Sequence, residues 1–298
     1  MPLSTRRPRD LEWQVFRGSL ARQSGLLTAD QLRGAAWRRI RYDVYADARL
    51  ELDHELACRA AWLTLPPDSV IAGLSAAFLD GVQHAAEFGH DVHVIRPVKA
   101  SPYRQQGVRF HATDLSDTET LAVGGMVRTT PLRTAWDVAQ WLDAVAAVGV
   151  IDAMLRTRLI ERRQLAESVR MGRRRGCRRA TQVFELSDGG AQSRPESTLR
   201  VRFVLAGLPR PVTQHPVQLP TGRVVHPDIA WPAYRVGVEY DGEWHAEDDQ
   251  FHLDRKRLNQ LVGAGWTVLH VTSRRLSRDF PGILREVCDA LRERGWRP

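Results

Sequence analysis

Apolar and polar positions change their spacing several times along the chain, and each change marks a change of element. Residues 11–25 carry apolar side chains at helical intervals, which predicts a helix stopped by Gly25; Thr28 is placed to cap a second, short helix over 28–34. Residues 37–45 alternate in the manner of a strand or wing. Residues 51–82 read as two helices split by Pro66-Pro67, and 91–98, 107–115 and 125–130 as short strands between turn formers. A long helix is expected over 131–155, with Pro131 in its first turn. The turn-rich stretch 187–194 is the best boundary. Beyond it the pattern is clearest. A helix over 193–207 has Ser193 and Glu196 at capping-box spacing. Strands follow over 210–219, 224–232 and 234–242. Next come an amphipathic helix over 249–265, with Phe251, Leu258, Leu261 and Val262 on its apolar side, a strand over 266–272 and a closing helix over 281–295. The order is α-β-β-β-α-β-α.

The charge distribution adds a polyanion partner to this picture. The formal net charge is +8, and Lys99 and Lys256 are the only lysines. Between Leu155 and Ala180 ten arginines face two acids, Glu161 and Glu167, so this one segment carries as much charge as the whole chain. A concentrated basic stripe is the usual footprint of nucleic acid; an Arg-rich helix pair that merely links domains is the plainer reading. Cys58, Cys177 and Cys288 form no CxxC pair, so neither a zinc site nor a disulfide framework is indicated. No run of 18 apolar residues predicts a membrane span and no apolar stretch follows the N-terminus as in a signal peptide, so no membrane partner is expected and a cytoplasmic location is the simplest.

Three acids are anomalous where they sit. Asp228 interrupts an apolar strand, Glu239 ends the run Val236-Gly237-Val238 in the next, and Asp241 follows two residues later. Residues i and i+2 of a strand share a face, so both later acids can point where Asp228 points. Carboxylates on neighbouring strands repel and are costly to desolvate, a conflict that a hard cation such as Mg2+ resolves.

The order of elements and these residues resemble the PD-(D/E)XK nuclease superfamily, and within it proteins similar to very-short-patch-repair endonucleases. The likeness spans about 195–276. It rests on Glu196, Pro227-Asp228, the run Val238-Glu239-Tyr240-Asp241-Gly242, His245, Asp254 with Arg257, and Gly265-Trp266. The resemblance implies hydrolysis of a phosphodiester with Mg2+, or Mn2+ in its place. Asp228 would be the principal metal ligand and Glu239 the second. Asp241 or His245 would position or deprotonate the attacking water, and Glu196 would be an outer ligand. Asp241 stands where the superfamily has a lysine, and Lys256 could reach in from the following helix. Plainer roles compete: Glu196 as a helix cap, His245 as a turn residue contacting Asp241, Asp254 with Arg257 as a surface pair.

A second likeness, to the winged-helix region and adjoining domain of AbiEi-type antitoxins, covers most of 12–140. Its residues are Gly25-Leu26-Leu27-Thr28, Gln31-Leu32-Arg33, Trp37-Arg38-Arg39, Val44-Tyr45, Leu74-Ser75-Ala76-Ala77, Thr130-Pro131 and Arg133-Thr134-Ala135. It implies DNA binding, with Arg33, Arg38, Arg39 and Arg41 as phosphate contacts. Arg173, Arg174, Arg175, Arg178 and Arg179 would serve likewise in the basic segment. The expected organisation is α/β: a winged-helix-like unit (1–50), a small α/β middle domain (51–152), an Arg-rich helical linker (153–192) and a restriction-endonuclease-like domain (193–298). The expected function is a Mg2+-dependent DNA endonuclease. The alternative is a non-catalytic DNA-binding regulator or antitoxin that keeps the nuclease fold as scaffold and pairs with a toxin protein.

Overall fold

The computed structural model describes residues 7–170, 176–219, 221–242 and 260–297. The chain is mixed α/β and divides into two compact units, Met1–Val138 and Ala139–Pro298.

The N-terminal unit begins with β1 (Val15–Arg17), α1 (Gly18–Gln23), α2 (Ala29–Leu32), β2 (Trp37–Arg41) and β3 (Val44–Asp47), its strands lying in the order β1-β3-β2. Where local spacing predicts one helix over 11–25, three residues form a strand before the helix starts: Val15, Phe16 and Arg17 pair with Ala46, Tyr45 and Val44. Burial explains the switch, because Phe16 packs edge-on to Trp37 at 5.1 Å and against Tyr45, a gain no isolated helix of this length provides. Helix begins only at Gly18, where a Cβ would stand 2.6 Å from the Tyr45 ring. The capping box expected at Thr28 is present, the Gln31 amide N–H donating to Thr28 Oγ1 and the Thr28 N–H to Gln31 Oε1.

The same unit continues with α3 (His54–Trp62), β4 (Val70–Ile71), α4 (Gly73–Leu79), β5 (Val92–Arg96), β6 (Val108–Ala112), β7 (Thr120–Val123), β8 (Met126–Thr129) and the start of α5 (Pro131–Trp141). Five strands form a sheet in the order β6-β5-β4-β8-β7, packed around Ala57, Cys58, Ile71, Val92 and Val94. Strand β4 occupies what the spacing reads as the start of a helix.

The C-terminal unit holds the end of α5, α6 (Ala144–Arg156), α7 (Arg162–Arg170), α8 (Cys177–Leu186), α9 (Arg194–Leu205), β9 (Val212–Thr213), β10 (Val217–Gln218), β11 (Val224–Val225), β12 (Ile229–Trp231), β13 (Val236–Asp241), β14 (Thr267–Thr272), α10 (Ser273–Arg278) and α11 (Phe280–Glu293). The single helix expected over 131–155 is two, because the Asp143 carboxylate accepts the Val145 and Ala146 N–H groups and restarts the helix as an N-cap. Stretch 187–194, expected as a boundary, lies inside this unit: the Asp188 N–H donates to the buried Asp152 of α6 at 2.6 Å. Asp152 also pairs with Arg200 of α9 at 2.8 Å, both side chains being 1% exposed.

Four strands make the central sheet, in the order β14-β13-β12-β9; β12 is antiparallel to β9 and β13, and β13 is parallel to β14. The long strands expected over 210–219 and 224–232 each break in two, next to Pro216 and Pro227, which have no N–H for a ladder; β10 and β11 pair as a separate hairpin. One sheet face, with Ile229, Trp231, Val236, Val238 and Val271, packs on Leu199 and Phe203 of α9 and on Ile283, Val287 and Leu291 of α11. On the other, Ala230 joins Val217, Val225, Leu261 and Trp266. Leu261 is buried but Val262, expected beside it on the apolar side, is 56% exposed. Successive helical residues are about 100° apart, so the two face different ways. Phe251 and Leu258 lie outside the described residues. Among the described residues no helix is long and apolar enough to cross a membrane.

Candidate active site

Register brings four polar residues into one row across the C-terminal sheet. The β9–β12 pairing sets Thr213 against Ile229, and continuing it one step sets Gln214 against Asp228; the Gln214 N–H indeed donates to the Asp228 carbonyl. The β12–β13 pairing sets Ile229 against Val238, so one step on Asp228 lies beside Glu239. Glu239 in turn pairs with His270 of β14. Neighbouring strands lie about 5 Å apart, and residues paired across strands point to one face. Gln214, Asp228, Glu239 and His270 therefore form a continuous line.

Asp228 is held at both carboxylate oxygens. Gln214 Nε2 donates to Oδ1 at 3.1 Å and the Tyr240 N–H to Oδ2 at 2.9 Å. Gln214 adopts φ +49°, a left-handed backbone uncommon for any residue but glycine. Its side chain also hydrogen-bonds Glu196, so one amide joins the carboxylates of Glu196 and Asp228. Glu196, 6% exposed, accepts the Gln192 N–H and the Ser193 hydroxyl, each at 2.8 Å. The cap reading of Glu196 and its place beside Asp228 thus hold together. Burial raises the Glu196 pKa above the ordinary carboxylate value and the nearby Asp228 charge adds to this, against the hydrogen bonds from Gln192, Ser193 and Gln214. Asp241, two residues beyond Glu239, accepts or shares a proton with His270 Nδ1 at 2.9 Å, which fixes the imidazole over the row.

Glu196, Asp228, Glu239 and Asp241 are thereby brought to one region, and His245, Asp254, Lys256 and Arg257 lie outside the described residues. Among the described residues no group of three or more His, Cys, Asp or Glu side chains is arranged to hold a metal ion. The donors at the centre of the row are the two carboxylates of Asp228 and Glu239. An all-oxygen pair suits Mg2+, which binds through one or two carboxylates and keeps several waters. Gln214 is not legible as a site residue in the sequence, because its place depends on a strand register.

The arginines expected on nucleic acid divide by what they touch. Arg33 is exposed and pairs with Asp30. Arg38 donates to the carbonyls of Ala48 and Leu50, and Arg41 to that of Gly107 at 2.8 Å. Arg39 is exposed, its guanidinium 5.8 Å from the Tyr42 ring centre. In the C-terminal unit Arg178 is exposed, whereas Arg179 donates to the Ala139 and Leu142 carbonyls at the end of α5. Arg173, Arg174 and Arg175 lie outside the described residues.

No family model matches the chain, and no solved structure matches it. Two Mycobacterium tuberculosis proteins do: uncharacterized protein MT2308 (strain CDC 1551 / Oshkosh) and uncharacterized protein Rv2248 (strain ATCC 25618 / H37Rv). Each is 30% identical to it over 263 residues, 85% of this chain and 92% of the relative. The chain therefore belongs to the family of these two mycobacterial proteins.

Proposed function

We propose that the C-terminal unit is a metal-dependent DNA endonuclease of the PD-(D/E)XK type and that the N-terminal unit and the basic helices deliver it to DNA. The observation that carries this reading is the polar row, in which Asp228, just before β12, stands beside Glu239 of β13 with Glu196 tied to Asp228 through Gln214. The path from α9 through β9, β12 and β13 to β14 and α11 supports the expected order apart from the helix between β13 and β14, most of which lies outside the described residues. The order β1-α1-α2-β2-β3, with its three strands in one sheet, supports a winged-helix-like start.

Asp228 and Glu239 would hold the cation. A bound Mg2+ supplies Lewis acidity at the phosphate and lowers the pKa of its water. The remaining work falls to the chain. The Gln214 amide and the Tyr240 N–H fix the rotation of the Asp228 carboxylate, so its outward lone pairs are aimed before any ligand arrives. Asp241, held by His270, or else His245 would orient the attacking water and take its proton. The water oxygen bonds to phosphorus, the bond to the leaving sugar oxygen breaks, and that oxygen is protonated from solvent or from the same groups.

Mn2+ uptake, read as loss of the free-ion electron paramagnetic resonance signal, tests the site. Wild type takes up Mn2+; Asp228→Asn and Glu239→Gln lose it, and Gln214→Ala weakens it roughly 10- to 100-fold, as expected for an outer-shell partner. Unchanged uptake in Asp228→Asn would remove the assignment.

A further inference from the structure

The N-terminal unit holds a second feature that the nuclease reading does not use. A cleft of about 450 Å3 lies between the tip of the β2–β3 hairpin and the loop before β6, lined by Arg41, Tyr42, Thr64, Tyr103, Gln105 and Gly107 among others. That volume is within the ~300–1,000 Å3 range of small-ligand sites.

Two of its lining residues carry buried polar atoms without partners. Arg41 Nη2 donates to the Gly107 carbonyl, but Nη1 is buried and meets no acceptor. Gln105 Nε2 donates to Thr64 Oγ1 at 2.7 Å, which fixes the amide, while Oε1 is buried and meets no donor. A buried unsatisfied group destabilises by about 1–3 kcal/mol, so one unpaired donor and one unpaired acceptor on two residues that line the same cleft need a reason. The loop is also shaped around the guanidinium. Gly107 has φ +68°, and a Cβ there would stand 2.9 Å from Arg41 Nη2. Among the described residues no carboxylate forms an ion pair with Arg41, and burial lowers its pKa from the usual guanidinium value.

The walls are aromatic. Tyr42, at the hairpin tip, is 86% exposed, and Tyr103 is 39% exposed with its hydroxyl donating to the Thr64 carbonyl. The exposed Arg39 stands beside Tyr42.

We infer that this cleft takes an unpaired nucleobase of DNA, its ring stacked on Tyr42 and its edge meeting Arg41 and Gln105. A phosphate offers only acceptors and leaves Gln105 Oε1 unmatched, and an aliphatic side chain matches neither group. A base edge presents an acceptor next to a donor on a planar ring, which is the complement of a guanidinium N–H, an amide oxygen and a tyrosine face. Inside a duplex that edge is already paired, so the site selects an extrahelical or single-stranded base. The inference rests on the DNA-binding part of the proposed function and is independent of the metal site.

The test uses the full chain in EDTA with two labelled hairpin duplexes. One carries a single bulged 2-aminopurine; in the other the same base is paired. Wild type is expected to bind the bulged probe more tightly and to quench its 2-aminopurine fluorescence. Tyr42→Ala, a change at an exposed tip, should weaken the bulged complex roughly 5- to 150-fold, the equivalent of one base–aromatic stack, and leave the paired complex unchanged. Gln105→Leu, which removes the acceptor from the cleft lining, should reduce the preference for the bulged probe and leave the paired complex unchanged. Equal affinity for both probes, or equal losses on both in Tyr42→Ala, overturns the cleft assignment alone. Absence of binding to either overturns it together with the DNA-binding reading.

Discussion

The Arg200–Asp152 pair gives a prediction that can be worked through in numbers. Both side chains are 1% exposed. Arg200 donates to Asp152 Oδ2 at 2.8 Å and to the Leu186 carbonyl at 2.6 Å, and Asp152 also accepts the Asp188 N–H. Arg200→Leu keeps an apolar body in α9 but leaves the Asp152 carboxylate buried with one backbone N–H and Ser197 as its remaining donors. Removing one partner of such a pair destabilises by about 3–5 kcal/mol, a large share of the ~5–15 kcal/mol that holds a domain together. With a urea slope of about 2 kcal/mol per M, the unfolding midpoint should fall by roughly 2 M. Arg200→Leu combined with Asp152→Leu removes both charges and deprives only neutral groups of a partner, the Asp188 N–H, the Leu186 carbonyl and the Ser197 hydroxyl, at about 1–3 kcal/mol for each that stays buried and unmatched. The double variant should therefore be far more stable than the two single losses added together. Urea unfolding followed by tryptophan fluorescence and by amide exchange in α6, α9 and β13 measures this. A midpoint shift below about 0.5 M, or strict additivity, would refute the view that this pair locks α6 to α9.

Two further predictions concern charge. In the N-terminal unit burial is the main reason that the His93 and His111 pKa values are pushed down to about 3 and about 4, the ring nitrogens standing 3.1 Å apart. The folded values lie below the unfolded value of about 6.5, so stability is full above that pH and is lost as pH falls toward 4, by about 3 kcal/mol for His93 alone. Calorimetry from pH 7 to 4 should show the N-terminal unit melting progressively earlier, with a flatter dependence in His111→Phe; a flat wild-type profile contradicts the burial argument. If the arginines between Leu155 and Ala180 engage DNA, neutralising about 6–10 phosphates lowers affinity by about 10³–10⁵ between 50 and 200 mM salt. A flat salt response assigns those arginines to something else.

The parts legible in the sequence are those set by short-range chemistry. The Thr28 and Ser193 caps are written in four residues each. The acids Asp228 and Glu239 were conspicuous because they interrupt apolar strands. What could not be read depends on distant partners. Val15–Arg17 is a strand only because Tyr45 and Trp37 are there to cover Phe16. The break at Asp143 competes with an unbroken apolar helical pattern, and a single side-chain cap decides it. Gln214 joins the site through a register that runs across β9 and β12, next to strands shortened by proline. His270 joins it through a parallel pairing separated from Glu239 by about thirty residues of chain.

The nuclease itself is tested most directly by cleavage of supercoiled plasmid and of single-stranded DNA with Mg2+ or Mn2+, comparing wild type with Asp228→Ala. The account predicts cleavage by wild type that vanishes in EDTA and in the variant, with DNA binding kept in both. No cleavage by wild type with any divalent metal, alongside tight chelator-insensitive DNA binding, would contradict it and favour a regulator built on a nuclease-like scaffold.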